Sequence, residues 1–237
     1  MVDVASGSPA VTRKATARVA LIDLSPAAFN LLRECFRQFG IETIEVTGDA
    51  SARFVREKFE GCVLQLNDRA EAILQAIRNS PSNRRMVIYG VCGTAKESMR
   101  YSRFGVNALL KDPVERQDAL KVVRSTHLLV VHELRLYIRV PLASEARITT
   151  DTGVITGTTQ ELSGGGMSIQ SETLPRSGAF VTVQFDLPPG AQIQRVTLQG
   201  TVCWARSRDN MFGVRFEATD PGRMHIKQWI DEYLDIT

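Results

Sequence analysis

The chain has 237 residues, of which 43% are hydrophobic, 7% aromatic and 23% charged. This is ordinary globular composition, which excludes collagen-like, low-complexity and largely disordered chains. With 29 Lys and Arg against 26 Asp and Glu, the net charge of +3 is too small to point to nucleic acid or an anionic membrane as a partner.

Residues 1–16 are small and polar without periodicity and read as a flexible tail. They lack the apolar core of a secretory signal, and no later run reaches the ~18 apolar residues of a membrane span, so a cytoplasmic protein is expected. From residue 17 to about 132, short apolar runs alternate with helical patterns. Residues 18–23, 61–66, 85–92 and 107–111 are buried-strand material, and 41–46 alternates as a half-buried strand does. Helical spacing covers 26–39, 50–59, 69–79 and 94–104. Ser25-Pro26 opens the first helix, and Gly40 and Gly105 stand where helices stop. Five strands alternating with helices predict a doubly wound α/β domain with a parallel sheet.

From Val114 to about Tyr137 there is neither Gly nor Pro, so a last helix is expected to run on past the first domain. Leu120, Val123, His127, Val130, Leu134 and Tyr137 keep a spacing of three and four. Such a seam fits either a coiled-coil homodimer or packing on the chain's own sheet. The second is favoured, because fewer than three to four heptads are present. Beyond residue 140 come short strands rich in Val, Thr, Ile and Phe: 145–151, 153–163, 166–172, 179–188, 195–206 and 211–218. Asp151-Thr152-Gly153 and Pro188-Pro189-Gly190 punctuate them. This predicts an antiparallel barrel or sandwich. A closing amphipathic helix presents Met224, Ile226, Trp229, Ile230 and Tyr233.

Cys35, Cys62, Cys92 and Cys203 lie far apart beside apolar neighbours and read as buried free thiols. His127 and His132 fall on different faces of a helix, so neither a metal nor another cofactor is expected. The sequence also contains no nucleophile–base pairing, no phosphate loop and no helix-turn-helix pattern, which argues against an enzyme or a DNA-binding regulator.

Two motifs carry the functional reading. Arg135-Leu136-Tyr137-Ile138-Arg139 is an R-x-x-x-R, and Glu161-Leu162-Ser163-Gly164-Gly165-Gly166 follows some twenty residues later. Together with Val202-Cys203-Trp204 and Gly213-Val214-Arg215-Phe216, they resemble the PilZ domain over residues 133–237. PilZ domains characteristically bind cyclic di-GMP, a bacterial second messenger. The resemblance implies a six-stranded antiparallel barrel on which Arg135 and Arg139 clamp the nucleotide, Ser163 and Gly166 shape its floor, Glu161 accepts from guanine, and Gly165 belongs to the same ligand-binding set. The chemistry suits those roles. A guanidinium grips phosphate or the O6/N7 edge of guanine with two parallel bonds, and glycines let backbone N–H groups come close. Where the family has Asp or Asn, this chain has Glu161, whose extra methylene shifts a guanine acceptor.

Residues 17–132 resemble the receiver domain of response regulators, through Leu21-Ile22-Asp23-Leu24-Ser25 and Phe104-Gly105-Val106-Asn107-Ala108-Leu109-Leu110-Lys111-Asp112-Pro113. Asp23 stands there without a second acid, Gln65 (or Asn67 in a shifted register) takes the place of the phosphate acceptor, and Gly90 takes that of the hydroxyl residue. A glutamine forms no acyl phosphate, and one carboxylate is a poor Mg²⁺ site. The resemblance therefore implies a pseudo-receiver that serves in dimerisation or docking. Two functions follow as expectations: a cyclic di-GMP effector that reorients its domains and signals through a protein partner, or a ligand-free scaffold with both domains degenerate.

Overall fold

The structure, a computed structural model, describes residues 16–94, 98–188, 191 and 194–234. The expected N-terminal tail except Thr16, residues 95–97 of the fourth helical pattern, and most of the Pro188-Pro189-Gly190 turn lie outside the described residues.

The first half forms a five-stranded parallel sheet from β1 (Arg18–Ile22), β2 (Glu42–Val46), β3 (Gly61–Gln65), β4 (Val87–Cys92) and β5 (Ala108–Lys111), in the order β2-β1-β3-β4-β5. Three helices connect the strands: α1 (Pro26–Arg37), α2 (Ala50–Arg56) and α3 (Ala70–Asn79). Both faces of the sheet are covered, so alternate residues of a strand enter different cores. Val19 and Leu21 pack with Leu32 and Phe36 of α1, whereas Ala20 and Ile22 pack with Phe54 of α2 and Leu74 of α3. Ser25 caps α1 by accepting a bond from the Ala28 N–H. Gly40 and Gly105 take left-handed φ angles of 66° and 64°, as their place after helical turns requires.

Several boundaries move. The second helical pattern ends at Arg56 rather than residue 59, because Glu57 is extended and Phe59 turns into the core. In the fourth pattern, the described end is a 3-10 turn, Ser102–Phe104. β4 runs to Cys92, which lies beside Lys111 in the register. Gly90 lies two residues inside the strand, where a Cβ would come within 2.6 Å of Leu66. At the same sheet end Arg69 pairs with Asp23 at 3.1 Å, and the Gln65 amide donates to Asp112 at 3.2 Å.

Helix α4 (Arg116–Tyr137) is a single 22-residue helix. The expected seam is used inside the chain: Val123, Val130 and Leu134 are buried, and His127 packs on Phe39 of the α1–β2 turn. Leu128 and Leu129 are the exposed apolar residues of the helix. Tyr89 of β4 fastens its middle with a 2.8 Å bond to Thr126, whose own hydroxyl donates to Val122 O. Burial pushes the Tyr89 hydroxyl up to about 12, so it remains a donor. Tyr89→Phe is expected to cost about 1 kcal/mol, read as a lower urea midpoint at unchanged slope.

The second half is a closed antiparallel barrel made from β7 (Glu145–Thr150), β8 (Gly153–Ser163), β9 (Gly166–Gln170), β10 (Phe180–Asp186), β11 (Arg195–Arg206) and β12 (Met211–Phe216). Its order is β8-β7-β10-β11-β12-β9, closed by β9 pairing on β8, and short β6 (Val140–Pro141) is added to β8. Alternation along β7 and β10 points Ala146, Ile148, Val181, Val183 and Phe185 inward. Helix α5 (Arg223–Leu234) buries Ile226, Ile230 and Leu234, a narrower stripe than expected. Met224 and Tyr233 are exposed instead. Three cysteines are buried as expected, but Cys203 is exposed because a β-bulge between Val202 and Trp204 turns it outward. One continuous apolar core runs from the α1 face of the parallel sheet, past Val130 and Leu134 of α4, into the barrel.

Candidate functional site

Two sequence motifs meet where α4 gives way to the barrel. Arg135 is still helical, whereas Ile138 is extended with φ −61° and ψ 136°. The R-x-x-x-R thus straddles a helix end, and its arginines lose the shared face that a spacing of four would give them on a continuous helix. The Arg135 side chain, 9% exposed, turns to α5 and forms a two-pronged ion pair with Asp231, with Nη2 to Oδ2 at 2.9 Å. Arg139 emerges on the other side and donates to Ser163 Oγ at 3.3 Å.

The Ser-Gly turn packs directly on that helix end. Gly164 N–H donates to Arg135 O at 2.9 Å, and a Cβ on Gly164 would approach the same oxygen to 3.1 Å. Buried Ser163 organises the turn, donating to Gly166 O at 2.9 Å and accepting from Gly166 N–H at 3.1 Å. Gly166 has a reason of its own to lack a side chain, since a Cβ there would strike Val214 O on β12.

Arg139, Glu161, Ser163, Gly165 and Gly166 all line one open cavity of about 600 Å³, a size suited to a small-molecule ligand. Arg135 does not line it. Glu161 sits opposite Pro141 of β6 and Ser168 of β9, and its carboxylate has no hydrogen-bond or ion-pair partner among the described residues. On the far wall are Arg215 of β12, Arg223 at the start of α5, and Trp204. The Trp204 indole lies across Gly213, where any Cβ would collide with it, and Arg206 stacks 4.7 Å from the ring centroid. Arg223 Nη2 holds Gly164 O at 2.9 Å, while its Nε is buried without a hydrogen-bond partner. Ser168 Oγ is likewise buried and unpartnered at the cavity wall. Orphaned polar atoms of this kind are uncommon and mark a place where a ligand or water completes the bonding.

Sequence reading did not find Arg84, Arg85, Trp204, Arg215 or Arg223 as lining residues. Arg215 carried a usable signal, being the exposed residue between buried Val214 and Phe216 on β12. Trp204 also stood in a motif segment, Val202-Cys203-Trp204, whereas Arg84, Arg85 and Arg223 carried no signal, because folding alone brings them to the cavity. Among the described residues no three His, Cys, Asp or Glu side chains gather as a metal site, and no helix is long and apolar enough to cross a membrane.

Residues 133–232 match the family model described as PilZ domain. No curated protein matches the chain. Among solved structures, the chemotaxis response regulator CheY4 of Vibrio cholerae aligns at 15% identity and a TM-score of 0.42, over 47% of this chain and 98% of that one. The PilZ domain of CeSA from a cellulose-synthesizing bacterium aligns at 14% and 0.33, over 40% of this chain and 97% of that one. The inhibitor of motility MotI/DgrA of Bacillus subtilis aligns at 15% and 0.35, over 43% and 52%.

Proposed function

We propose that the protein is a cyclic di-GMP effector whose ligand enters the cavity beside the end of α4, a reading supported by the match of residues 133–232 to the PilZ domain model. The observation that carries this reading is convergence. Arg139, Glu161, Ser163, Gly165 and Gly166, from separate stretches of sequence, line a single cavity with an arginine-rich wall. The chemistry then divides simply. Arg139 supplies a permanent cation for a phosphate or a guanine O6/N7 edge. Ser163 and the glycines form a floor that polar ligand atoms can approach closely. Glu161 offers an unpaired carboxylate to the N1–H and N2–H donors of guanine. The signal is a change in how the two halves of the chain pack, passed to a protein partner.

Ligand capture draws Arg135 out of its pair with Asp231. Arg135 belongs to the last turn of α4 and Asp231 to α5, so this exchange loosens α5 from the helix that joins the halves. A ligand shifts an equilibrium only through contacts that differ between its states, and this ion pair is such a contact.

Calorimetric titration of the full chain with cyclic di-GMP tests the reading, with Glu161→Asp in parallel. Saturable binding is expected, and the shorter carboxylate is expected to tighten it about tenfold by restoring the acceptor position. Absence of heat, with an unchanged melting temperature in excess ligand, would leave the ligand-free scaffold as the better account. The occupied state of Arg135 is the observation that favours that second reading.

A further inference from the structure

The cavity is not made by the PilZ domain alone. Arg84 and Arg85, on the loop between α3 and β4 of the first domain, line it together with Arg139, Arg215 and Arg223. We propose that the pseudo-receiver supplies one wall of the ligand site, with Arg84 and Arg85 binding the anionic side of a nucleotide held by the barrel. The proposal rests on the reading of a cyclic dinucleotide ligand given above.

Charge is the first argument. Five guanidiniums border the cavity against two carboxylates, Glu161 and Glu217. Arg84 and Arg85 are exposed, and among the described residues neither side chain has an ion pair or hydrogen bond. Several other arginines of the first domain are paired, among them Arg37 with Glu34, Arg53 with Glu57 and Arg69 with Asp23. Glu133, held by Lys58, is the further carboxylate that Arg85 feels, and cations in excess around a concave surface focus a positive field that an anion relieves. Two adjacent guanidiniums suit phosphodiester oxygens in particular, because each presents a planar fork of donors.

The loop is also built to hold them in place. Asn83, wholly buried, donates from Nδ2 to Phe54 O at 2.6 Å and Glu57 O at 2.7 Å, and accepts from Phe59 N–H at 2.9 Å. Ser80 Oγ donates to Phe54 O at 3.0 Å. Arg78 gathers the flanking carbonyls, reaching Arg84 O at 2.8 Å and Met86 O at 3.2 Å. Tyr137, itself at the cavity, donates to Pro81 O at 3.2 Å and so ties the loop to the end of α4. Asn83 satisfies three backbone groups and so fixes the course of the loop that carries Arg84 and Arg85. Ser168 Oγ and Arg223 Nε are buried and unpartnered at this same cavity, where a ligand or water completes the bonding.

The test uses the full chain with Arg84→Ala/Arg85→Ala, titrated with cyclic di-GMP at several salt concentrations beside wild type. Arg33→Ala/Arg124→Ala, two exposed arginines outside the cavity, is the control for loss of general charge. The expected result is a fall in affinity of roughly tenfold to a hundredfold for the loop variant. A shallower dependence of log affinity on log salt and an unchanged melting temperature should accompany it, while the control stays near wild type. Equal affinities of the loop variant and wild type would overturn the proposal while leaving the ligand reading intact. An equal loss in the control pair would also overturn it, since the effect would then be long-range charge alone. A wild-type protein that gives no heat would overturn both.

Discussion

Arg139→Ala is expected to lower the affinity for cyclic di-GMP by up to about a hundredfold and to leave the fold as stable as before. The side chain lines the cavity, and its side-chain hydrogen bond is the 3.3 Å contact to Ser163. Ser163 does not depend on it, because Gly166 occupies the hydroxyl as both donor and acceptor. Removing an exposed side chain of this kind moves stability by no more than about 0.5 kcal/mol. Its charge-assisted bonds to a ligand are worth about 1.5–3 kcal/mol, or roughly tenfold to a hundredfold in affinity. Titration calorimetry alongside a thermal melt separates the two quantities. Wild-type affinity in the variant would remove Arg139 from the site, and a lowered melting temperature would assign it a structural role.

Asp231→Ala is expected to act in opposite directions on stability and on binding. The Arg135–Asp231 pair is nearly enclosed, with side-chain exposures of 9% and 20%. Taking one partner away leaves a guanidinium largely out of water without its counter-charge. Breaking a fully buried pair costs about 3–5 kcal/mol, and partial exposure of the carboxylate brings the expected loss to about 2–3 kcal/mol. Ligand affinity should rise several-fold, because Arg135 no longer has to be pulled from a competing anion before it can serve the nucleotide. Denaturant unfolding with and without saturating ligand reads both effects from one sample. A loss of stability with unchanged affinity would make Arg135 a strut that never visits the ligand.

The contrast between those two arginines explains what the sequence could and could not disclose. Strand and helix order was legible in both halves, since periods of 2 and 3.6 with Gly and Pro punctuation record which face of each element is buried. The convergence of Arg139, Ser163 and Gly166 was legible too, through a motif whose spacing reflects a hairpin between β8 and β9 packed on the end of α4. Asp231, the partner of Arg135, lies 96 residues away, and nothing local marks it. Arg84 and Arg85 follow Ser80-Pro81-Ser82-Asn83, which reads as an ordinary turn. Only the docking of that loop against Tyr137 gives it a place in the site. The Met224 and Tyr233 miss has a simpler cause: apolar side chains at helical spacing mark an amphipathic face but not its width.

The unbroken course of α4 places a rule on the lengths this chain can tolerate. A helix advances about 100° and 1.5 Å per residue, and its first half is seated on the parallel sheet through Tyr89 and Thr126 while its last turn meets both the Ser-Gly turn and α5. Inserting one residue between Thr126 and Arg135 would swing everything beyond by about a quarter of a revolution. Arg135 would then face away from Asp231, and the barrel would be carried off the loop that bears Arg84 and Arg85. Adding about seven residues, close to two full turns, restores the azimuth but moves the barrel away by roughly 10 Å. The length of this helix is thus held like the phase of a gear train, and relatives that share the site should vary in its loops while keeping the count of residues between those two anchors.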